Sequence, residues 1–190
     1  MHRCLQRLKK ENMRTPRLAE LPPIENIWLE IDTTQQRLRC WRGPKVLHEC
    51  DISSGVAGVG ERNGSGKTPH GWHYIRAAIG EGAPDNAVFR GRRWTREEFS
   101  PALAKAHPER DWILTRILWL CGLEKGVNRG GQVDSQRRYI YLHGTPADQP
   151  MGVAASHGCI RLRTNDLLYI FSLALPGTPV WLHGGRQSFD

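Results

Sequence analysis

Two short segments carry side chains able to do chemistry together, His143-Gly144-Thr145 and Ser156-His157-Gly158-Cys159-Ile160-Arg161-Leu162. A thiol is mostly protonated at neutral pH, so a nucleophilic cysteine needs a base within hydrogen-bond reach and surroundings that favour the thiolate. His143 and His157 each offer an imidazole to Cys159. Gly158 lets the backbone turn tightly before the sulfur, so that the amides of Gly158 and Cys159 can converge on a carbonyl oxygen as it becomes an oxyanion. Arg161 stands just beyond, where a guanidinium can hold a substrate carboxylate through two bonds and raise the thiolate fraction. Thr145 and Ser156 are the supporting candidates on the substrate side.

Other chemistries compete for the same residues. Cys159 as a buried structural thiol is the bland alternative, but His157-Gly158 before it and Arg161 after it are poor core neighbours. His143, His157 and Cys159 could ligate zinc, since three protein ligands and a water make a catalytic zinc site. Gly64-Ser65-Gly66-Lys67-Thr68 looks like part of a phosphate-binding loop, yet that motif needs Gly where Glu61 stands, and Gly60 comes one position early. The segment is read as a substrate-side loop instead. The arginines of Arg90–Arg96 accompany no nucleic-acid-binding motif, so they read as a solvated face. His48, His70 and His73 receive no role, and Trp72, Trp112 and Trp119 read as core or pocket wall.

The two catalytic segments resemble the signature of YkuD-type L,D-transpeptidases, and Lys67-Thr68-Pro69-His70-Gly71-Trp72 looks like that family's Thr-Pro-x-Gly strand segment. The resemblance runs in outline from Ile27 to Leu182 and is sharp only in these segments. It implies that Cys159 is the nucleophile and His143 the general base, with the Gly144 carbonyl orienting the other ring nitrogen while His157 shapes the pocket. It also implies cleavage of the bond between the L-centre of diaminopimelate and the terminal D-Ala of a murein tetrapeptide, through a thioester on the cysteine. Water then gives a tripeptide, the L,D-carboxypeptidase outcome expected here for peptidoglycan recycling. An amine acceptor gives a cross-link or an exchanged D-amino acid, the transpeptidase alternative. The expected partner is a muropeptide, with no cofactor, metal, nucleic acid or membrane, and oligomeric state is left open.

The resemblance implies a mainly β, sandwich- or barrel-like single domain with a few short helices, and 20 Gly and 12 Pro likewise favour a β-rich chain over an all-helical one. Ile27, Leu29 and Ile31 alternate with polar neighbours, and Leu38, Cys40 and Val46 to Ile52 repeat the pattern across an Arg42-Gly43-Pro44 turn, which predicts an opening β-meander. Gly55 to Gly66 must be loop, and Gly71 to Ile75 resumes a strand. Residues 80–108 show little strand periodicity and read as a lid or insertion, with Thr95 and Glu98 forming the capping box of a short helix. Asp111 to Leu120 suits a buried strand better than a surface helix, with a helix as the alternative, and Tyr139 to Leu142 reads as another strand that delivers His143 at its end. Thr164 is expected to cap a helix over Asn165 to Leu173, with a closing strand from Pro179 to Leu182.

The 190 residues suffice for one well-buried core, so residues 24–183 are taken as the catalytic domain, 1–23 as a poorly ordered arm and 184–190 as a tail. No apolar run approaches the ~20 residues of a spanning helix, and no export signal is readable near Met1. The five scattered cysteines form no Cys-x-x-Cys pair, which suits a reducing compartment, so a cytoplasmic location is expected. A net charge of +8 would attract any polyanion, including a small substrate with several carboxylates, and does not choose among them.

Overall fold

A computed structural model describes residues 15–184. Residues 1–14 of the expected arm, with Cys4, and residues 185–190 of the expected tail lie outside the described residues. Between Thr15 and Pro23 the chain makes one 3-10 turn, Leu18–Glu20, that buries nothing.

The predicted meander is present as β1 (Ile27–Asp32), β2 (Arg37–Arg42) and β3 (Lys45–Asp51), paired antiparallel in that order. Its alternation has the expected cause. Leu29, Ile31, Leu38 and Cys40 are fully buried on one face, and Trp28 and Trp41 stack at 5.5 Å on the other. Next come β4 (Gly71–Ile79), β5 (Ala87–Arg90), β6 (Arg93–Glu98), helix α1 (Pro101–Ala106) and the ten-residue β7 (Ile113–Gly122). Then follow β8 (Tyr141–Gly144), β9 (Ile160–Leu162), helix α2 (Thr164–Leu173) and β10 (Pro179–His183).

The strands join in one mixed sheet in the order β3-β2-β1-β10-β4-β7-β5-β6, with β8 and β9 branching from β7. The fold is mainly β, as expected. Its core packs Leu29, Ile31, Ile52, Ile75, Leu118, Leu120, Val180 and Leu182 of the sheet against Leu142, Ile160, Leu162 and the buried stripe of α2, Leu167 and Ile170. Each such side chain contributes about 1.5–3 kcal/mol by leaving water, so the short β8 and β9 are anchored through their apolar members.

Four local expectations change. Residues 80–108 are no loose lid, because β5 pairs with both β6 and β7 and extends the sheet. Thr95 caps no helix, since its hydroxyl donates across the hairpin to the Val88 carbonyl at 3.0 Å; the helix starts instead at Ser100, whose Oγ accepts from Leu103 N, with Pro101 next. Thr164 is the first helical residue rather than the cap, a place taken by Arg163 without a side-chain bond. The strand expected from Tyr139 begins at Tyr141, because Tyr139 is left-handed with φ 56°, and it runs on through His143 and Gly144.

Candidate active site

β8 and β9 pair in parallel, with Leu142 opposite Ile160, His143 opposite Arg161 and Gly144 opposite Leu162. Cys159 immediately precedes β9, so its register neighbour is Tyr141. Side chains alternate along a strand, and His143, Tyr141, Arg161 and Cys159 therefore project to one side of this ribbon. Shared electrostatics say the same, since Asp111 and Arg161 act on both His143 and Cys159.

His143 is aimed from behind by a bulge in β7. The β7–β8 register slips between Leu114 and Ile117, placing Thr115 and Arg116 as the extra residues beside Gly144. Thr115 is buried and left-handed with φ 70°, an unusual state for a β-branched residue. A Cβ on Gly144 would lie 2.5 Å from Thr115 Oγ1 and 2.8 Å from the Leu114 carbonyl, so only glycine fits there. The His143 ring is buried, and its Nδ1 donates to the Gly144 carbonyl at 2.8 Å. Nε2 is consequently the lone-pair nitrogen. Burial holds the imidazole pKa below its ordinary value, partly opposed by the Gly144 bond and by Asp111.

Cys159 is half-buried, its thiol donating to the Tyr139 carbonyl at 3.4 Å. Loss of water around the sulfur pushes its pKa up to about 11, against the Tyr141 amide and the charges of Arg161 and Arg138, which favour the thiolate. The resting site thus holds a neutral thiol and a neutral imidazole.

The turn before Cys159 is closed by its own polar groups. Gly158 has φ 116°, and a Cβ there would meet the Lys67 carbonyl at 3.0 Å. The Gly158 amide donates to Ser156 Oγ at 3.1 Å, and that hydroxyl donates to the Cys159 carbonyl at 2.5 Å. Two expectations are corrected on this ground. Ser156 is buried and braces the turn rather than facing substrate, and the Gly158 amide is already engaged, so it does not point into an oxyanion site. Thr68 supplies a second brace, accepting from Gly55 N at 2.8 Å and donating to the Gly158 carbonyl at 3.0 Å. The loop that resembles a phosphate-binding segment therefore ends as a support for the nucleophile's turn. Arg138 ties the same loop from the other side, through the carbonyls of Gly60 and Lys67.

Arg161 is buried, with its guanidinium bonded to the Asp111 carboxylate at 3.2 Å, the Ala155 carbonyl at 3.1 Å and Gln149 at 3.4 Å, while its Nε has no partner. It lines a cleft of about 240 Å³ together with Asp111, Thr145, Gln149 and His157. His157 is exposed at the mouth of this cleft, 3.8 Å from Asp111, while the thiol bonds to the Tyr139 carbonyl instead. Asp111 escaped the sequence reading because nothing near it in the chain marks it; the strand that follows brings it in. On the far side of the sulfur, Arg92 is sandwiched between Trp119 at 4.6 Å and Tyr139 at 4.7 Å and donates to the Tyr141 hydroxyl at 3.1 Å. Arg93 and Arg137 are exposed, and Arg90 lines a larger cavity that shares Glu109, Arg110 and Asp111 with the cleft.

A zinc site from His143, His157 and Cys159 does not assemble. Among the described residues, the one group of three or more such side chains with ligand atoms within 4.8 Å of one another is His48, Cys50 and Asp166.

Comparison with known proteins bears on the family and the fold. The model of the L,D-transpeptidase catalytic domain matches residues 26–182. A probable L,D-transpeptidase of Escherichia coli (strain K12), YcfS, is 54% identical over 39 residues, which are 20% of this chain and 12% of that protein. The crystal structure of an Enterococcus faecium L,D-transpeptidase C442S mutant superposes with a TM-score of 0.51 at 18% identity, covering 85% of this chain and 51% of that one. The Bdellovibrio bacteriovorus protein Bd1075 gives a TM-score of 0.53 at 13% identity, covering 90% of this chain and 51% of its own. The chain thus spans about half the length of these solved structures. Because the family model runs through more than half of the chain and the sheet matches that of the solved relatives, the protein belongs to the L,D-transpeptidase (YkuD) family of catalytic domains.

Proposed function

We propose that the protein is a cysteine acyl-enzyme acting on murein tetrapeptide stems, and that it releases the terminal D-Ala as an L,D-carboxypeptidase. The observation that carries this is the in-register β8–β9 pair, which sets the neutral His143 and the half-buried Cys159 on one side of the ribbon beside the buried Arg161. Cys159 Sγ attacks the carbonyl on the L-centre of diaminopimelate while its proton passes to His143 Nε2. The tetrahedral oxyanion is assigned to the Cys159 amide, with the positive charges of Arg161 and Arg138 nearby. Collapse breaks the C–N bond, His143 returns the proton to the departing D-Ala amine, and a thioester remains. Water, deprotonated by His143, then frees the tripeptide and restores the thiol.

Arg161 is read as the carboxylate anchor, because its Nε is buried without a partner and aspartate already neutralises only one edge of the fork. Thr145 and His157 line the same cleft and are read as its walls. Among the described residues, Cys40, Cys50, Cys121 and Cys159 form no disulfide with one another, which supports a reducing, cytoplasmic setting where recycled muropeptides rather than nascent wall are at hand. The names of the relatives favour a second reading, transfer of the acyl group to an amine.

Incubation with disaccharide tetrapeptide separates the two. Tripeptide and free D-Ala support the hydrolase; a dimer or an exchanged D-amino acid in the presence of amine supports the transferase. Cys159→Ala should lose every product and the covalent adduct seen by intact-mass spectrometry, while keeping the circular dichroism of the parent. Full turnover by that variant would remove the proposal.

A further inference from the structure

Among the described residues, one clustered set of three ligating side chains lies outside the catalytic cleft, between strand β3 and helix α2. His48 and Cys50 are alternate residues of β3, and Asp166 lies in the first turn of α2. A ring nitrogen, the Cys50 sulfur and a carboxylate oxygen fall within 4.8 Å of one another. His48 Nε2 stands 2.8 Å from Asp166 Oδ1, and the Tyr169 ring, one turn further along the helix, lies 4.8 Å from the imidazole. We propose that His48, Cys50 and Asp166 form a binding site for a single divalent transition metal, with zinc as the fitting ion, that clamps β3 to α2.

The donor set argues for the class of ion. One imidazole, one thiolate and one carboxylate are borderline-soft ligands, suited to tetrahedral zinc and unsuited to calcium or magnesium, which take oxygen alone. A water completes the fourth position. Tetrahedral zinc keeps its nitrogen and oxygen ligands about 3.3 Å apart and places sulfur slightly further away, so the 2.8 Å His48–Asp166 pair must open by about half an ångström, while the widest separation, within 4.8 Å, closes by a little over an ångström. The His48 and Asp166 side chains are each about a quarter exposed, which leaves them room to rotate and gives the ion a route in.

The energetics run the same way. Cys50 is buried, and burial together with Asp166 and Asp51 raises its thiol pKa, so an empty site keeps the thiol neutral. A cation reverses the balance by pairing with thiolate and carboxylate together: the S–H proton leaves to solvent, and the ion gains one sulfur, one nitrogen and one oxygen bond. The position in the fold gives the clamp a consequence. β3 runs directly into Ile52, Ser53 and Ser54, where Ser53 exchanges two backbone bonds with Arg161 and the Ser54 carbonyl accepts from Ser156 N. On the other side, α2 packs behind β7 and β8. Loading would therefore stiffen the frame around the catalytic turn without touching the reacting atoms.

The test uses the full chain, stripped with chelator under reducing conditions and titrated with Co²⁺. The expected result is one equivalent bound, with tetrahedral visible bands and a sulfur-to-cobalt charge-transfer band, followed by displacement of the colour by Zn²⁺. The charge-transfer band should survive in Cys159→Ser and vanish in Cys50→Ser. His48→Gln and Asp166→Asn, which alter partly exposed positions, should fold normally and bind at least tenfold more weakly. Zn²⁺ should also raise the melting temperature of the parent and leave that of His48→Gln unmoved. A titration without a charge-transfer band, a band that disappears with Cys159 instead, or undiminished affinity in both His48→Gln and Asp166→Asn would overturn the site.

Discussion

Cys159 and His143 are held neutral by one cause, the withdrawal of water from the end of the β8–β9 ribbon. On the proposed acyl-enzyme reading, the chemistry differs from that of a preformed thiolate–imidazolium pair, because proton transfer must accompany attack. The pH dependence of kcat/KM should accordingly show an acid limb below the ordinary imidazole value of about 6.5, where His143 gains a proton and stops acting as base, and no loss from thiol ionisation on the mildly alkaline side. Single-substrate kinetics across pH check it; a bell centred on neutral pH would contradict it. His73 gives a stability effect with the same origin. Nδ1 donates to Gly71 O, Nε2 accepts from Ser135, and burial lowers the pKa to about 4. The unfolded chain takes up the proton first, so stability is complete above pH ~6.5 and declines by roughly 3 kcal/mol on the way to pH 4. Urea titrations at the two pH values should find that slope, and His73→Gln should flatten it. At this scale Cys159, His143, Gly144 and Arg161 were legible because they lie in two short motifs. Asp111, Thr68 and Tyr139 were not, since each reaches the sulfur's surroundings only through tertiary placement.

Among the elements, the bulge of β7 governs the aim of the base. Thr115 in its left-handed state and Gly144 without a side chain occupy the same space from opposite strands. Gly144→Ala should cost about 1–3 kcal/mol of stability through overpacking and should lower kcat at least tenfold, because the carbonyl that orients His143 moves with it. Denaturation and turnover measured on one preparation test both halves; wild-type kcat would show that the bulge does not aim the ring. The meander was readable from period-2 alternation, and β10 from the Pro-Gly stop that ends the helix before it. The β5–β6 hairpin was not, since β6 is an edge strand whose sequence, Arg93-Trp-Thr-Arg-Glu-Glu, carries charges on most positions and imitates a helix start. The cap at Ser100 was available in the sequence, as serine followed by proline, but the Thr95-x-x-Glu98 pattern competed with it.

For the whole molecule, the excess of positive charge is only partly spent at the site: Arg161 and Arg138 act on Cys159, whereas Arg93 and Arg137 face solvent. The mainly β class was legible from composition and alternation, but the strand order was not, because it depends on pairings between distant segments. In that order β10 lies inside the sheet, parallel to β1 and antiparallel to β4. Chains stopped before Pro179 should therefore fail to acquire cooperative unfolding and should be cut readily by protease, which denaturant titration and limited proteolysis would reveal; a truncated chain with native-like protection would refute the view that β10 is structurally central. During synthesis the keystone strand leaves the ribosome after every other described strand. Until then the growing polypeptide carries two raw sheet margins, on β1 and on β4, so closure of the sheet waits on its last strand and the risk of clumping is greatest before that strand emerges.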